Sequence, residues 1–418
     1  MVCAVLSTMP VAISAAETVP SAQSVLDEAL QVVMPVAKKG DEYQLIEITM
    51  RQVKLQSCQR AKDLFRTAIN WNEQWGPEID YKINFLALLV SKQRSANCLE
   101  EMHYTAQRLL ALYQKRDQQA LEKNTSDDVA TAAQALRFQL ERGNLYLSIG
   151  DLGAAQAIAS TIIETIRSSR WRPGREYMDA AMFVARVGRN EQALEVVSWH
   201  DRFFESREDI KEDFANRHWW IYRVGALAAV AHGQAEAGHQ EAARMTLRRA
   251  INKARETPAA RLTKLHGESA RDSLGEGEAL LSAGAMSIVW HAALIEETAL
   301  ALEAFELASP LANDIESTRL LIVALTKTGK IERAKHILDK MNCSSQAVAQ
   351  GLLEKKDWSG ALQEEAAYQK AKASGREWTC NVSPGGGKII GSALERLEQS
   401  SKEKRARLSG RASKTSTR

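Results

Sequence analysis

No stretch of this chain approaches the roughly 20 consecutive apolar residues that a membrane-spanning helix requires. Its 8 prolines and 6% aromatics are few for 418 residues, which disfavours loop-rich β domains and suits helices. None of the 8 histidines stands in an HExxH motif or a Cys–His cluster with zinc spacing. A GxSxG nucleophile elbow is also missing. The stretch PGGGKII falls short of a phosphate loop, because Val382 stands where glycine is needed and Ile389 where Ser or Thr is needed. Gly385 to Gly387 are therefore read as a linker. The expectation is no metal, no cofactor and no catalytic residue. A helical enzyme whose catalytic groups lie scattered along the chain is the alternative.

What is present begins with charge. Seven basic residues against Glu403 give residues 402–418 a net +6, so of the chain's +3 the remainder carries −3. The body of the protein is not a basic nucleic-acid surface, and nucleic acid is not the expected partner. The tail is expected to be disordered and suits contact with an anionic surface. Residues 1–16, MVCAVLSTMPVAISAA, are apolar and end in the small-x-small pattern of a signal-peptidase site. They lack a basic leader, since no Lys or Arg precedes Lys38. Export to a bacterial periplasm is the first reading; a cytosolic regulator whose tail meets nucleic acid is the second.

The repetitive element lies at residues 142–170. Gly143 and Ala155 are small enough to let neighbouring helices approach, and Tyr146 shares a face with Gly143. Gly150 can end a helix in the left-handed conformation, with Asp151 as a cap for the next. Leu152, Ile158, Ile162, Ile163 and Ile166 then recur at helical spacing. The glycine-to-alanine turn returns at Gly188 and Ala193, Gly238 and Ala243, and Gly329 and Ala334. Ala61, Phe65 and Ala68 reproduce the second-helix pattern, and KKDWSGALQEEA places Ala361 at the alanine position. Two long intervals leave room for degenerate helix pairs near 78–113 and 270–307.

Gly143, Tyr146, Gly150 and Ala155 resemble the fixed positions of the tetratricopeptide repeat, a helix–turn–helix of about 34 residues. The family's early Trp and Leu are replaced by Gln139 and Arg142, its closing proline is missing, and the period is irregular. The resemblance implies an all-α, right-handed solenoid of antiparallel helix hairpins over residues 41–373. It would be preceded by a linker and short helix at 17–40 and followed by a Gly-rich linker with a short helix at 374–399, then the tail at 400–418. Neighbours along such a solenoid are neighbours in sequence. On that reading Cys58 would pair with Cys98 and Cys343 with Cys380, an even set once Cys3 leaves with the signal; buried free thiols are the other reading.

The resemblance also implies a protein or peptide partner in a groove lined by first helices. The family's groove offsets fall on Arg137, Asn144 and Ser148, then Arg175 and Met182, then His232, then Arg319. Asp179 and Ala229 stand where a carboxylate clamp would want Asn or Arg, so a C-terminal-carboxylate ligand is disfavoured. WNEQWGPEIDY (71–81) is expected to be a connector, and residues 200–218 either an insertion or, as the favoured reading, a longer solvated helix. A second irregular connection is expected at 256–277.

Overall fold

The computed structural model describes residues 41–55, 57–76, 78–123, 129–168, 175–205, 214–256, 283–308, 315–341 and 345–376, with a few positions between 27 and 34. Among these residues every regular element is an α-helix, and there is no strand. The helices are α1 (Asp41–Leu55), α2 (Cys58–Trp75), α3 (Ile79–Ser95), α4 (Leu99–Lys123), α5 (Val129–Ser148), α6 (Leu152–Ser168), α7 (Arg175–Arg186) and α8 (Asn190–Glu205). There follow α9 (Phe214–Glu236), α10 (Gln240–Arg255), α11 (283–294), α12 (Thr298–Leu307), α13 (Ile315–Lys327), α14 (Ile331–Met341), α15 (Gln346–Glu354) and α16 (Trp358–Ala373).

One turn connects seven of the helix pairs. At Asn97, Gly150, Gly188, Gly238, Glu296, Gly329 and Lys356 the backbone is left-handed, with φ between 58° and 86°. Each of these N–H groups donates to the carbonyl three residues back, and the following N–H donates to the carbonyl five back, as Arg189 does to Val184 and His239 to Gln234. The pair satisfies carbonyls that the helix end would leave orphaned. Five residues beyond the left-handed position stands a side chain at most 2% exposed: Met102, Ala155, Ala193, Ala243, Ala301, Ala334 and Ala361. A Cβ on Gly188 or Gly238 would meet nothing within 4 Å. Glycine is needed there for its backbone freedom and not for space.

The second helices then bury one stripe. In α6 this is Ala155, Ala159, Ile162, Ile163 and Ile166, and in α10 it is Ala243, Thr246, Leu247, Ala250, Ile251 and Ala254. Both follow the helical period, and each buried isoleucine contributes roughly 1.5–3 kcal/mol. Leu152, also at that spacing, is 49% exposed.

Two compact units divide the chain: Met1–Ser126 with Leu145–Asp151, and Asp127–Asn144 with Leu152–Arg418. In the first, each of α1 to α3 packs on the next helix, and α1 and α2 also on the one after. Phe65, Phe85, Leu45, Ile69, Leu86 and Leu89 fill its core, with Ala61 and Ala68 buried beside them. The second unit repeats this rule: α7 packs on α8 and α9, α10 on α12, and α13 on α14 and α15. This repeat-like, all-helical arrangement fits an α-solenoid.

Small residues set the spacing of alternate helices in the second unit. A Cβ on Gly143 of α5 would lie 2.3 Å from the Phe183 ring of α7, and one on Gly233 of α9 would lie 2.3 Å from the Met182 carbonyl of α7. A Cβ on Gly225 would likewise lie 2.7 Å from Met178 Cε, and one on Gly351 of α15 would lie 2.6 Å from Thr326 Cβ of α13. Residues Val224 to Ala231 of α9 are buried without interruption, because α7, α8 and α10 all pack on this helix.

One connection differs from expectation. The segment read as a connector from Trp71 is helical to Trp75, and α2 stops only at Gly76, whose N–H donates to the Asn72 carbonyl at 2.8 Å. Asn72 is fully buried and Trp71 packs on the core, so the buried stripe carries the helix on to its C-cap at Gly76. Within 200–218 α8 runs to Glu205 and α9 starts at Phe214, which agrees with the helical reading of that segment, and residues 206–213 lie outside the described residues. Residues 1–16, most of the 256–277 connection, the Gly-rich linker and the basic tail lie outside the described residues.

Cys58, which opens α2, is joined to Cys98, just before α4, by a disulfide with a Cα–Cα distance of 5.4 Å. Cys343 and Cys380 lie outside the described residues.

Gly233→Ala is expected to destabilise the protein by about 1–3 kcal/mol, because the added methyl meets a backbone carbonyl that cannot step aside. Lys356→Gly is expected to stabilise it by about 0.5–1 kcal/mol, by relieving the left-handed strain. Urea unfolding of both variants measures this. Replacing Cys58 and Cys98 by serine opens a loop of 40 residues and is expected to cost roughly 3–4 kcal/mol, read as a lower melting temperature that dithiothreitol no longer shifts.

Candidate functional site

The turn geometry sets the rotational phase of each first helix, so positions two and six residues before the left-handed residue share one face. In the central unit these are Ser148 and Asn144, then Arg186 and Met182, then Glu236 and His232. In the second unit these positions form a connected polar row. Arg186 of α7 donates from Nη1 to Asn144 Oδ1 of α5 at 2.6 Å, and its Nε pairs with the Glu236 carboxylate of α9. Glu236 Oε1 lies 3.7 Å from His232 Nε2 one turn earlier. His232 Nδ1 in turn lies 3.2 Å from His291 Nδ1 of α11. Beyond it Lys327 of α13 bonds Glu296 at 2.6 Å and approaches Glu354 of α15 at 3.9 Å.

The row is half-buried: side-chain exposure is 24% at Arg186, 42% at Glu236 and 16% at His232. Burial is the main cause that lowers the His232 pKa, against the pull of Glu236 and with the help of Arg186. Burial pushes His291 down to about 3, and His232 adds to the shift. Both rings are therefore neutral at pH 7. The 3.2 Å contact fits that state, since one Nδ1–H must donate to the other ring's lone pair.

The remaining expected groove positions are placed as follows. Arg137 is exposed and lies 3.6 Å from Glu141, and Arg175 opens α7. The Ser148 hydroxyl turns back to the Leu145 carbonyl at 2.7 Å. Met182 is half-buried beside the Gly233 contact. Arg319 is committed to Glu316 and, at 2.8 Å, to Gln350. Ala229, compared above with a clamp position, is 2% exposed and so lines no groove. Thus the row brings Asn144 and His232 into one network, and it is Arg186, Glu236 and His291 that the sequence reading missed. The offset that selects Ser148, carried to the next two turns, selects Arg186 and Glu236. His291 had no such signal: its turn closes on Glu296 instead of glycine, and the offsets counted from Glu296 select Trp290 and Leu294.

A second set of ion pairs links alternate second helices: Lys62 with Glu100 at 2.6 Å, Arg255 with Glu303 at 2.6 Å, Arg333 with Glu306 at 2.9 Å and Lys335 with Glu364 at 2.7 Å. These lie at the surface and are individually weak. Among the described residues no three His, Cys, Asp or Glu side chains converge as a metal-binding group, and no helix is long and apolar enough to cross a membrane. No protein-family model matches this chain, and no curated protein was found to match it in sequence.

A pH dependence follows from the histidines. With folded pKa values below the ordinary 6.5, the unfolded chain binds more protons than the folded one. Stability is complete above about pH 6.5 and falls as the pH drops towards the folded value, at up to about 1.4 kcal/mol per pH unit for each histidine. The expected result is a decline in unfolding free energy from pH 6.5 to pH 5 that is shallower in His291→Gln, measured by urea titration at each pH.

Proposed function

We propose that this chain is a non-catalytic, tetratricopeptide-like scaffold that binds an extended protein or peptide segment along its first helices. In this reading the helix pairs are antiparallel hairpins stacked with a right-handed superhelical sense, and the first helices line the concave side. One observation carries it: alternate helices α5, α7 and α9 contribute polar side chains to one row at recurring offsets from their turns, and His291 of α11 joins the row one residue off that offset. Such a row offers hydrogen-bonding groups at near-regular spacing, which suits the repeating amides of an extended backbone. Arg137 and Asn144 at the exposed end supply a cation and an amide, and Met182 an adaptable apolar contact.

The same reading places the mature protein in an oxidising compartment such as a bacterial periplasm. The disulfide between Cys58 and Cys98 supports it. Intact mass and thiol counting on protein from its native host test this. A chain beginning at Glu17 with Cys58 and Cys98 oxidised is expected, and an uncut chain with free thiols at both would overturn the export.

Peptide binding is tested by panning a random peptide library on the full chain and measuring an enriched peptide by fluorescence anisotropy. The triple variant Arg137→Ala, Asn144→Ala, Met182→Ala is expected to weaken binding at least tenfold, about 1.4 kcal/mol, with an unchanged circular-dichroism melt. Failure to enrich any sequence, or equal binding to the variant, would remove the groove from the mechanism.

A further inference from the structure

We infer that His232 and His291 form a two-imidazole binding site for a borderline divalent transition-metal ion, Cu(II) ahead of Zn(II). Three features of the row point there, and none depends on the peptide reading. The two Nδ1 atoms lie 3.2 Å apart. With metal–nitrogen bonds of about 2.0–2.1 Å, that separation subtends roughly 100–106° at a shared ion. This lies between the tetragonal angle of Cu(II) and the tetrahedral angle of Zn(II), so the geometry admits both and the Irving–Williams order ranks Cu(II) first. The rings are tilted by 58°, with centroids 5.4 Å apart, so a modest rotation about each Cβ–Cγ bond turns both lone pairs towards one point.

The second feature is the polar chain behind His232. A metal-bound histidine ordinarily donates its other ring N–H to a carboxylate, which fixes the tautomer and raises the ring's basicity. Glu236 Oε1 stands 3.7 Å from His232 Nε2, a distance that a small side-chain shift would close to a hydrogen bond. It is held in turn by Arg186, and Arg186 by Asn144. The third feature is chemical class: neutral imidazoles suit Cu, Zn and Ni and not the hard cations Mg or Ca. Among the described residues no third protein ligand converges, so the other coordination positions fall to water or to a side chain of a bound partner. Binding needs no net proton release: whichever ring donates between the two Nδ1 atoms re-forms as its Nε2–H tautomer, and both rings remain neutral.

The test uses the full chain stripped with a chelator and titrated with Cu(II) chloride, then Zn(II) chloride, by calorimetry, with electron paramagnetic resonance on the Cu(II) form. One site per chain is expected, with hyperfine coupling to two imidazole nitrogens and weaker affinity for Zn(II). His232→Gln and His291→Gln should each lower the Cu(II) affinity at least tenfold, and His239→Gln should leave it unchanged. Equal affinity in the His232→Gln, His291→Gln double variant would overturn the site. A wild-type spectrum without coupling to two imidazoles would do so as well, and it reads the ligands even where a variant fails to fold.

Discussion

A helix closed by a two-residue left-handed turn must hand the chain to its successor at once, and the structure rests on that constraint. The turn satisfies the last carbonyls of one helix and sets its rotational phase relative to the next. The residue five positions on is then carried into the core, where Ala155, Ala193, Ala243, Ala301, Ala334 and Ala361 are each fully buried. Alanine costs little side-chain entropy there and allows close approach. The alternation of turn and buried small residue explains how an irregular repeat builds a regular packing rule. Intervals between turns vary, whereas the phase at each turn does not.

Once the phase is set, the side chains two and six residues before the turn have no freedom to choose a face. Glycines at 143, 225, 233 and 351 then draw alternate helices together until methyl groups would collide with side chain or backbone. At that spacing, side chains at these positions reach across to the next first helix. The outer ion pairs are exposed and individually weak. The inner row is half-buried, so its electrostatics are stronger and its titration is displaced. His291 shows this most, since burial and the neighbouring His232 act in the same direction.

The sequence reading was strongest where backbone chemistry was explicit. Gly150, Gly188, Gly238 and Gly329 mark left-handed turns by residue type, and all four are left-handed in the structure. Asn97, Glu296 and Lys356 serve the same geometry without glycine; the first two left only an interval to read, and the third needed the residues around it. Connector boundaries were misjudged at Trp71, where a buried stripe prolonged the helix beyond its aromatic cluster. Among the site residues, Asn144 and His232 followed from offsets, while Arg319 proved committed to a neighbouring carboxylate. With 55 basic and 52 acidic side chains in the chain, composition alone could not single out Arg186 and Glu236 as partners.

The amino-acid sequence by itself determined the all-helical class, most of the turns and the buried stripe of each second helix. These depend on backbone conformation and on a period of 3.6 residues, both readable within about 15 positions. Only the tertiary structure decided which polar side chains meet. That depends on the distance between helices far apart in the chain, such as the 59 residues between His232 and His291. The distance is set by where glycine meets a neighbouring backbone, a property of the packed pair and of neither helix alone.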